Sequence, residues 1–143
     1  MSDKKKQKRI MVFGTFDGLH QGHFSFLKQA RKLVSKSFLI VSVARDENVK
    51  HIKGKYPTKN EKKRMLLIEK SKLADKVVLS GIKDHLPHIL KEYPDIVALG
   101  YDQKYYVKNL KKDLKNKGLV VKIKRLKPYR EKIYKNHLIK IKR

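Results

Sequence analysis

The chain has 143 residues with 38 Lys and Arg against 13 Asp and Glu, a formal net charge of +25 that attracts anions such as nucleotides, nucleic acid or acidic membrane surfaces. Its apolar residues, 40% of the total, gather in blocks such as Phe38-Leu39-Ile40-Val41, which excludes a disordered polar chain, and the length suits one domain with one core. The absence of cysteine excludes a disulfide framework, a thiolate metal site and a cysteine nucleophile. No apolar run approaches the roughly 20 residues of a membrane span, and the basic start Lys4 to Arg9 precedes only a short strand-like run, so a soluble cytoplasmic protein is expected.

In chain order, residues 1–8 read as a flexible basic N-terminus, followed by a strand at Ile10-Met11-Val12-Phe13. Phe24, Leu27, Ala30 and Val34 recur at helical spacing, and Phe38 to Val43 is the second β-branched run. Asp46 to Pro57 reads as a loop long enough to serve a site. Thr58-Lys59-Asn60-Glu61 has the Thr-x-x-Glu form of a capping box, so a helix carrying Met65, Leu66, Ile68 and Leu73 is predicted to start after Thr58. Lys76 to Leu79 is a strand, Leu86, Ile89 and Leu90 make a short helical face, and Ile96 to Leu99 is the fourth strand. Gly118 stops a helix over Lys108 to Lys117 before a strand at Leu119 to Ile123, and residues 126–143 form a basic tail with a short helix. The alternation predicts a single α/β domain over 1–143. Its expected form is Rossmann-like, a doubly wound five-stranded parallel sheet with helices on both faces, because parallel strands need crossover connections.

The chemistry gathers after the first strand, in Gly14-Thr15-Phe16-Asp17-Gly18-Leu19-His20-Gln21-Gly22-His23. In an open α/β sheet this loop lies where ligands bind. Gly14 and Gly22 let backbone approach a ligand, and the first amides of the next helix offer unpaired donors and a positive dipole end to an anion. His20 and His23 share a face if the helix has begun by His20 and can converge in a turn before it; either way two imidazoles can donate to one polyphosphate. Such fixed donors suit nucleotidyl transfer, where negative charge grows on the α-phosphorus oxygens and the leaving pyrophosphate, and an ionised acceptor phosphate needs little base help. Two bland alternatives stand beside this: a transition-metal pair, for which no third and fourth ligand has a recognisable spacing, and ordinary surface or capping histidines. The loop is neither a G-x-G-x-x-G fingerprint nor a P-loop.

Gly14-Thr15-Phe16-Asp17 with His20-Gln21-Gly22-His23 resembles the signature of the cytidylyltransferase-like nucleotidyltransferase superfamily, whose H-x-G-H motif follows the first strand. Val43-Ala44-Arg45-Asp46-Glu47-Asn48-Val49, Glu61-x-x-Arg64, Pro94-Asp95-Ile96-Val97, Gly100-Tyr101-Asp102-Gln103 and Arg125-Leu126-x-x-Tyr129 resemble the archaeal-type FAD synthase branch, with glycerol-3-phosphate cytidylyltransferases a near neighbour. The resemblance implies that His20 and His23 contact the triphosphate and stabilise the transition state. It also implies that Thr15 and Phe16, by backbone and side chain, line the phosphates with Gly14, Asp17 and Gly22, that Gly100 and Asp102 contact the nucleotide, and that Tyr129 borders it. Lys50, Arg64 and Arg125 are candidate phosphate contacts by charge; against this, Lys50 is one lysine among many and Arg64 has Glu61 and Glu69 within pairing distance in sequence. Asp46 either orients a ligand hydroxyl or caps a turn. The stretch Tyr134-Lys135-Asn136-His137-Leu138-Ile139 departs from the Ser/Thr-rich C-terminal element of such families.

The implied reaction is transfer of AMP from ATP to the phosphate of FMN, with a magnesium ion held mainly through the triphosphate. A cytidylyltransferase acting with CTP on glycerol-3-phosphate or a similar small phosphoester is the alternative. Tyr101, Tyr105, Tyr106 and Tyr129 are candidates for a flavin surface. From Gln103 to Arg143 sixteen Lys and Arg face only Asp113 and Glu131, so incidental nucleic-acid binding is expected from charge, and a dedicated nucleic-acid module with Tyr105, Tyr106, Tyr129 and Tyr134 as stacking groups is a distant alternative. Membrane association is not expected, and a homodimer is compatible with the resemblance.

Overall fold

The computed structural model describes residues 7–81, 85–100, 103 and 109–128. Five strands, β1 (Lys8–Gly14), β2 (Ser37–Val43), β3 (Lys76–Leu79), β4 (Ile96–Leu99) and β5 (Lys122–Arg125), form one parallel sheet in the order β3-β2-β1-β4-β5. The register runs from Lys8 opposite Ser37 to Gly14 opposite Val43, with Ile10 and Met11 opposite Ile96 and Val97 on the other side. The strand order reverses direction about β1, which opens a crevice at the carboxyl ends of β1 and β4. The expected doubly wound α/β architecture is the one observed.

The helices are α1 (Gln21–Arg31), α2 (Asp46–Lys53), α3 (Glu61–Ser71), α4 (His85–Glu92) and α5 (Leu110–Asn116). Successive strand side chains point to opposite faces, so each strand feeds two cores. Ile10, Val12, Leu39, Val41, Ile96 and Ala98 pack with Leu27 and Ala30 of α1 and Ile68 of α3. Met11, Ile40, Val97 and Leu99 pack on the other face with Ile89 of α4 and Leu110 and Leu114 of α5. Burying a leucine or isoleucine fully is worth about 1.5–3 kcal/mol, and these two layers are what hold the crest of the sheet rigid. Among the described residues no helix is long and apolar enough to cross a membrane.

Three local expectations are corrected. The predicted loop from Asp46 to Pro57 begins with a helix, α2, although Val49 is its one buried residue. Charge placement sustains it: Asp46 and Glu47 lie in the first turn, Lys50, His51 and Lys53 in the last, and Gly54 closes it at φ 85°. Thr58 does not cap α3. The cap is Asn60, whose side chain accepts the Lys63 amide at 2.8 Å, while Glu61 accepts the Asp46 amide at 2.8 Å and returns its own amide to Asp46 at 3.2 Å. Two helix N-termini thus cap each other. The fifth strand starts three residues later than expected, at Lys122, because Leu119 belongs to the end of α5. Its amide reaches the Leu114 carbonyl and that of Gly118, at φ 94°, reaches Lys115, each at 2.9 Å, a Schellman closure.

Replacing the cap by Asn60→Ala is expected to cost about 1 kcal/mol, and Thr58→Ala clearly less, in denaturant unfolding followed by circular dichroism.

Candidate active site

The loop after β1 is shaped by close approaches that only glycine permits. A Cβ on Gly14 would stand 2.6 Å from the Phe16 ring, and one on Gly22 would stand 2.9 Å from Cε1 of His20. The Gly14 carbonyl accepts the Ala44 amide at 2.9 Å, which ties the loop's start to the end of β2. His20 is extended (φ −144°, ψ −178°) and is the N-cap of α1. Its Nδ1 accepts the Gly22 amide at 3.0 Å, and Nδ1 of His23 accepts the His20 amide at 3.3 Å. The two rings stack with centroids 3.9 Å apart and planes 28° apart.

This reciprocal capping fixes tautomers. With Nδ1 accepting in both rings, the proton of each neutral imidazole resides on Nε2. Burial, together with the charge of His20, lowers the pKa of His23 to about 4, partly offset by the Gly18 carbonyl. At neutral pH His23 is an uncharged hydrogen-bond donor. The first turn of α1 contains no acidic residue, so no carboxylate competes with an incoming anion for its dipole.

The remaining candidates separate into those the fold brings to this loop and those it uses elsewhere. The Phe16 side chain does not line a phosphate site; it is 3% exposed and packs beneath the loop. The Asp17 carboxylate accepts the amides of Thr58 at 2.6 Å and Lys59 at 2.9 Å instead of facing a nucleotide. Desolvation alone would raise its pKa, but the bonds from Lys59 and Thr58 and the charge of Arg64 outweigh it and hold the group below the usual carboxylate value. Arg64 is not at the mouth: its side chain is fully buried. Nε donates to the Lys59 carbonyl (2.9 Å), Nη1 to the Thr15 carbonyl (2.8 Å) and Nη2 to Asp46 (2.6 Å), and neither Glu61 nor Glu69 is its partner. Asp46 is therefore a tie between α2, α3 and Arg64. Lys50 lies exposed on α2, its ammonium 5.2 Å from the Tyr56 ring centroid.

At the other wall of the crevice, Arg125 donates through Nη1 to the Gly100 carbonyl at 2.7 Å and to the Gln103 carbonyl, bracing the turn after β4. Gln103, which the sequence reading did not single out, bridges the crevice. Its side chain accepts the Gly100 amide and donates to the Phe13 carbonyl, both at 2.8 Å. An amide side chain is suited to this because it both donates and accepts, but no spacing in the sequence marks it. A buried Ser80–Ser42–His88 chain, with both links at 2.8 Å, was likewise not foreseen. Asp102, Tyr129, Tyr101, Tyr105, Tyr106 and the Tyr134 to Ile139 stretch lie outside the described residues.

A glycine-bounded loop at the strand-order reversal, opening into a helix start that carries two neutral imidazole donors, defines a nucleotide-binding α/β protein of the H-x-G-H type. Comparison with known proteins identifies which. The chain belongs to the cytidylyltransferase-like family, whose model matches residues 11–140. It is 43% identical over 122 residues to the FAD synthase of Aciduliprofundum boonei, covering 85% of this chain and 79% of that one. The FAD synthase of Korarchaeum cryptofilum is 42% identical over 120 residues, 83% of this chain and 81% of its own. Among solved structures, a protein from Thermoplasma volcanium described as a lipopolysaccharide core biosynthesis protein superposes with a TM-score of 0.79 at 37% identity, over 87% of this chain and 99% of its own. A pantoate-beta-alanine ligase from Francisella tularensis, at 18% identity and a TM-score of 0.57 over 85% of this chain and 59% of its own, shares the fold.

Arg64→Ala removes three donations, to the Thr15 and Lys59 carbonyls and to Asp46, so denaturant unfolding should show a loss of ~3 kcal/mol or more. In NMR titration the His23 ring should protonate near pH 4, not 6.5. Because its folded pKa is depressed, the stability it contributes is complete above pH 6.5 and is lost as pH falls through about 4; His23→Gln should shallow the fall in melting temperature across that window.

Proposed function

We propose that the chain is an FAD synthase, transferring AMP from ATP to the phosphate of FMN with release of pyrophosphate, and that it works in the cytoplasm. The observation that carries this reading is the stacked pair His20 and His23, each with Nδ1 tied to a backbone amide, at the start of α1.

An oxygen of the FMN phosphate attacks the α-phosphorus of ATP, a new P–O bond forms, and the bond to the bridging oxygen breaks so that its electron pair leaves on pyrophosphate. The acceptor is already ionised, so no general base is needed. What the protein supplies is orientation and donors where charge accumulates: the two imidazole N–H groups, the first amides of α1, and the backbone of Gly14 to Phe16. Gly22 lets the helix start close on the phosphates. Asp17 and Arg64 act at one remove, by holding the loop against residues Thr58 and Lys59. Asp102 and Tyr129 are assigned to the nucleotide by family resemblance, and Lys50, by charge alone, to the outer phosphate field.

Magnesium fits this donor set as an ion brought in on the triphosphate. Asp17 and Asp46 are occupied by amides and Arg64, and among the described residues no three His, Asp or Glu side chains gather as a metal cage. Bound there, it neutralises charge on the phosphate oxygens.

Purified protein incubated with ATP or CTP, magnesium, and FMN or glycerol-3-phosphate should release pyrophosphate fastest with ATP and FMN. Release only with CTP and the small phosphoester would replace the flavin reading, and release in no combination would overturn transfer altogether. His20→Ala and His23→Ala should each lower kcat by about 10²–10³-fold while the fold survives, because each removes one preorganised donor.

A further inference from the structure

Phe16 stands out in the loop. Its φ of 54° is in the left-handed region, which a bulky aromatic residue adopts only at a cost, and such strain persists where the surroundings over-determine it. Here they do. The ring lies over Gly14 so closely that any side chain there would strike it, and Phe26 backs it at 6.4 Å. On the ring also lies the His23 imidazole, with centroids 5.3 Å apart and planes at 57°. His23 is thereby enclosed by His20 stacked at 3.9 Å, by its Nδ1 bond to the His20 amide, and by Phe16. A fold needing only an apolar plug at this point would be served by a side chain on an unstrained backbone.

We propose that Phe16 is a positioning residue of the transfer reaction: its ring, locked over Gly14 by the left-handed turn, fixes the His23 imidazole and keeps water from its inner edge, so that the donor stands oriented before the triphosphate arrives. The Phe16 ring itself, 3% exposed, does not touch the nucleotide. The inference rests on the transfer reaction proposed above and adds to it the residue that orients one of its donors. The same contact explains why His23 remains uncharged. Burial is the first cause of its lowered pKa and the charge of His20 the second, with the Gly18 carbonyl acting in the opposite sense.

The test compares Phe16→Ala, Phe16→Leu and Phe16→Gly with Phe26→Ala, which opens a cavity beside the Phe16 ring while leaving that ring in place. Pyrophosphate release with ATP and FMN gives kcat and KM, and NMR titration follows the His23 ring. In Phe16→Ala, kcat should fall by about 10- to 100-fold, since a misplaced donor loses that much, while KM for ATP changes by no more than about threefold. The His23 midpoint should rise from about 4 toward 6.5. Phe16→Leu should lie between wild type and Ala. Phe16→Gly, which relieves the backbone but lacks the ring, should be no better than Ala. Phe26→Ala should leave the His23 midpoint in place.

An unmoved His23 midpoint in Phe16→Ala, or an equal movement in Phe26→Ala, overturns the inference. If Phe16→Ala does not fold, Phe16→Leu decides by the same two readouts. Wild-type protein that releases no pyrophosphate overturns the transfer reading and the catalytic half of this one, whereas the titration still decides whether Phe16 governs His23.

Discussion

Two backbone amides at the start of α1 are satisfied by imidazole nitrogens, and the geometry of the crest depends on that exchange. The usual caps of a helix start are serine, threonine, asparagine or aspartate. A carboxylate here would cap well and complement the dipole, but it would also occupy the position where an anionic ligand has to lie. Imidazoles satisfy the amides of His20 and Gly22 through Nδ1 and add no negative charge. The arrangement in turn requires Gly22, since any side chain there would meet the His20 ring. Cap, glycine and donor pair are therefore one constraint.

The sheet was legible in the sequence because its strands are buried on both faces and so appear as continuous β-branched runs, as in Phe38 to Val43. The helix α2 was not, because Ile52 is largely exposed and Val49 alone is buried, leaving no apolar stripe to read. What sustains it is charge at its two ends and a tertiary exchange with Glu61. That exchange also explains why the Thr58 capping box misled: its glutamate is engaged by Asp46, and Asn60 caps in place of Thr58. A local motif lost to a contact 15 residues away in sequence.

In the site, the histidine pair and the glycines were legible because their spacing and their place after the first strand carry the chemistry. The cations were not. Arg64 and Arg125 have the composition of phosphate ligands, yet both donate to loop carbonyl oxygens, Thr15 and Lys59 for one and Gly100 and Gln103 for the other. A rigid planar guanidinium can satisfy several such oxygens at once, which lysine cannot, and nothing in a one-dimensional pattern distinguishes this use from ligand binding. Phe16 is a similar case, its left-handed backbone and buried ring being properties of the folded loop alone.

The division between arginine and lysine also accounts for the coexistence of a +25 charge with an inner imidazole, His23, that is neutral. Long-range attraction of a polyanion depends on summed charge and is screened beyond about 10 Å at 0.1 M salt, so solvated lysines such as Lys50 and those of α5 can supply it without ordered geometry. Stabilising a transferring phosphoryl group depends instead on donors held in place before the charge develops, where a floppy ammonium is poor and a clamped imidazole is good. Were both rings cationic, they could not remain stacked at 3.9 Å without mutual repulsion. The neutral His23 can therefore stay stacked on His20, while the summed lysine charge sets the surrounding field.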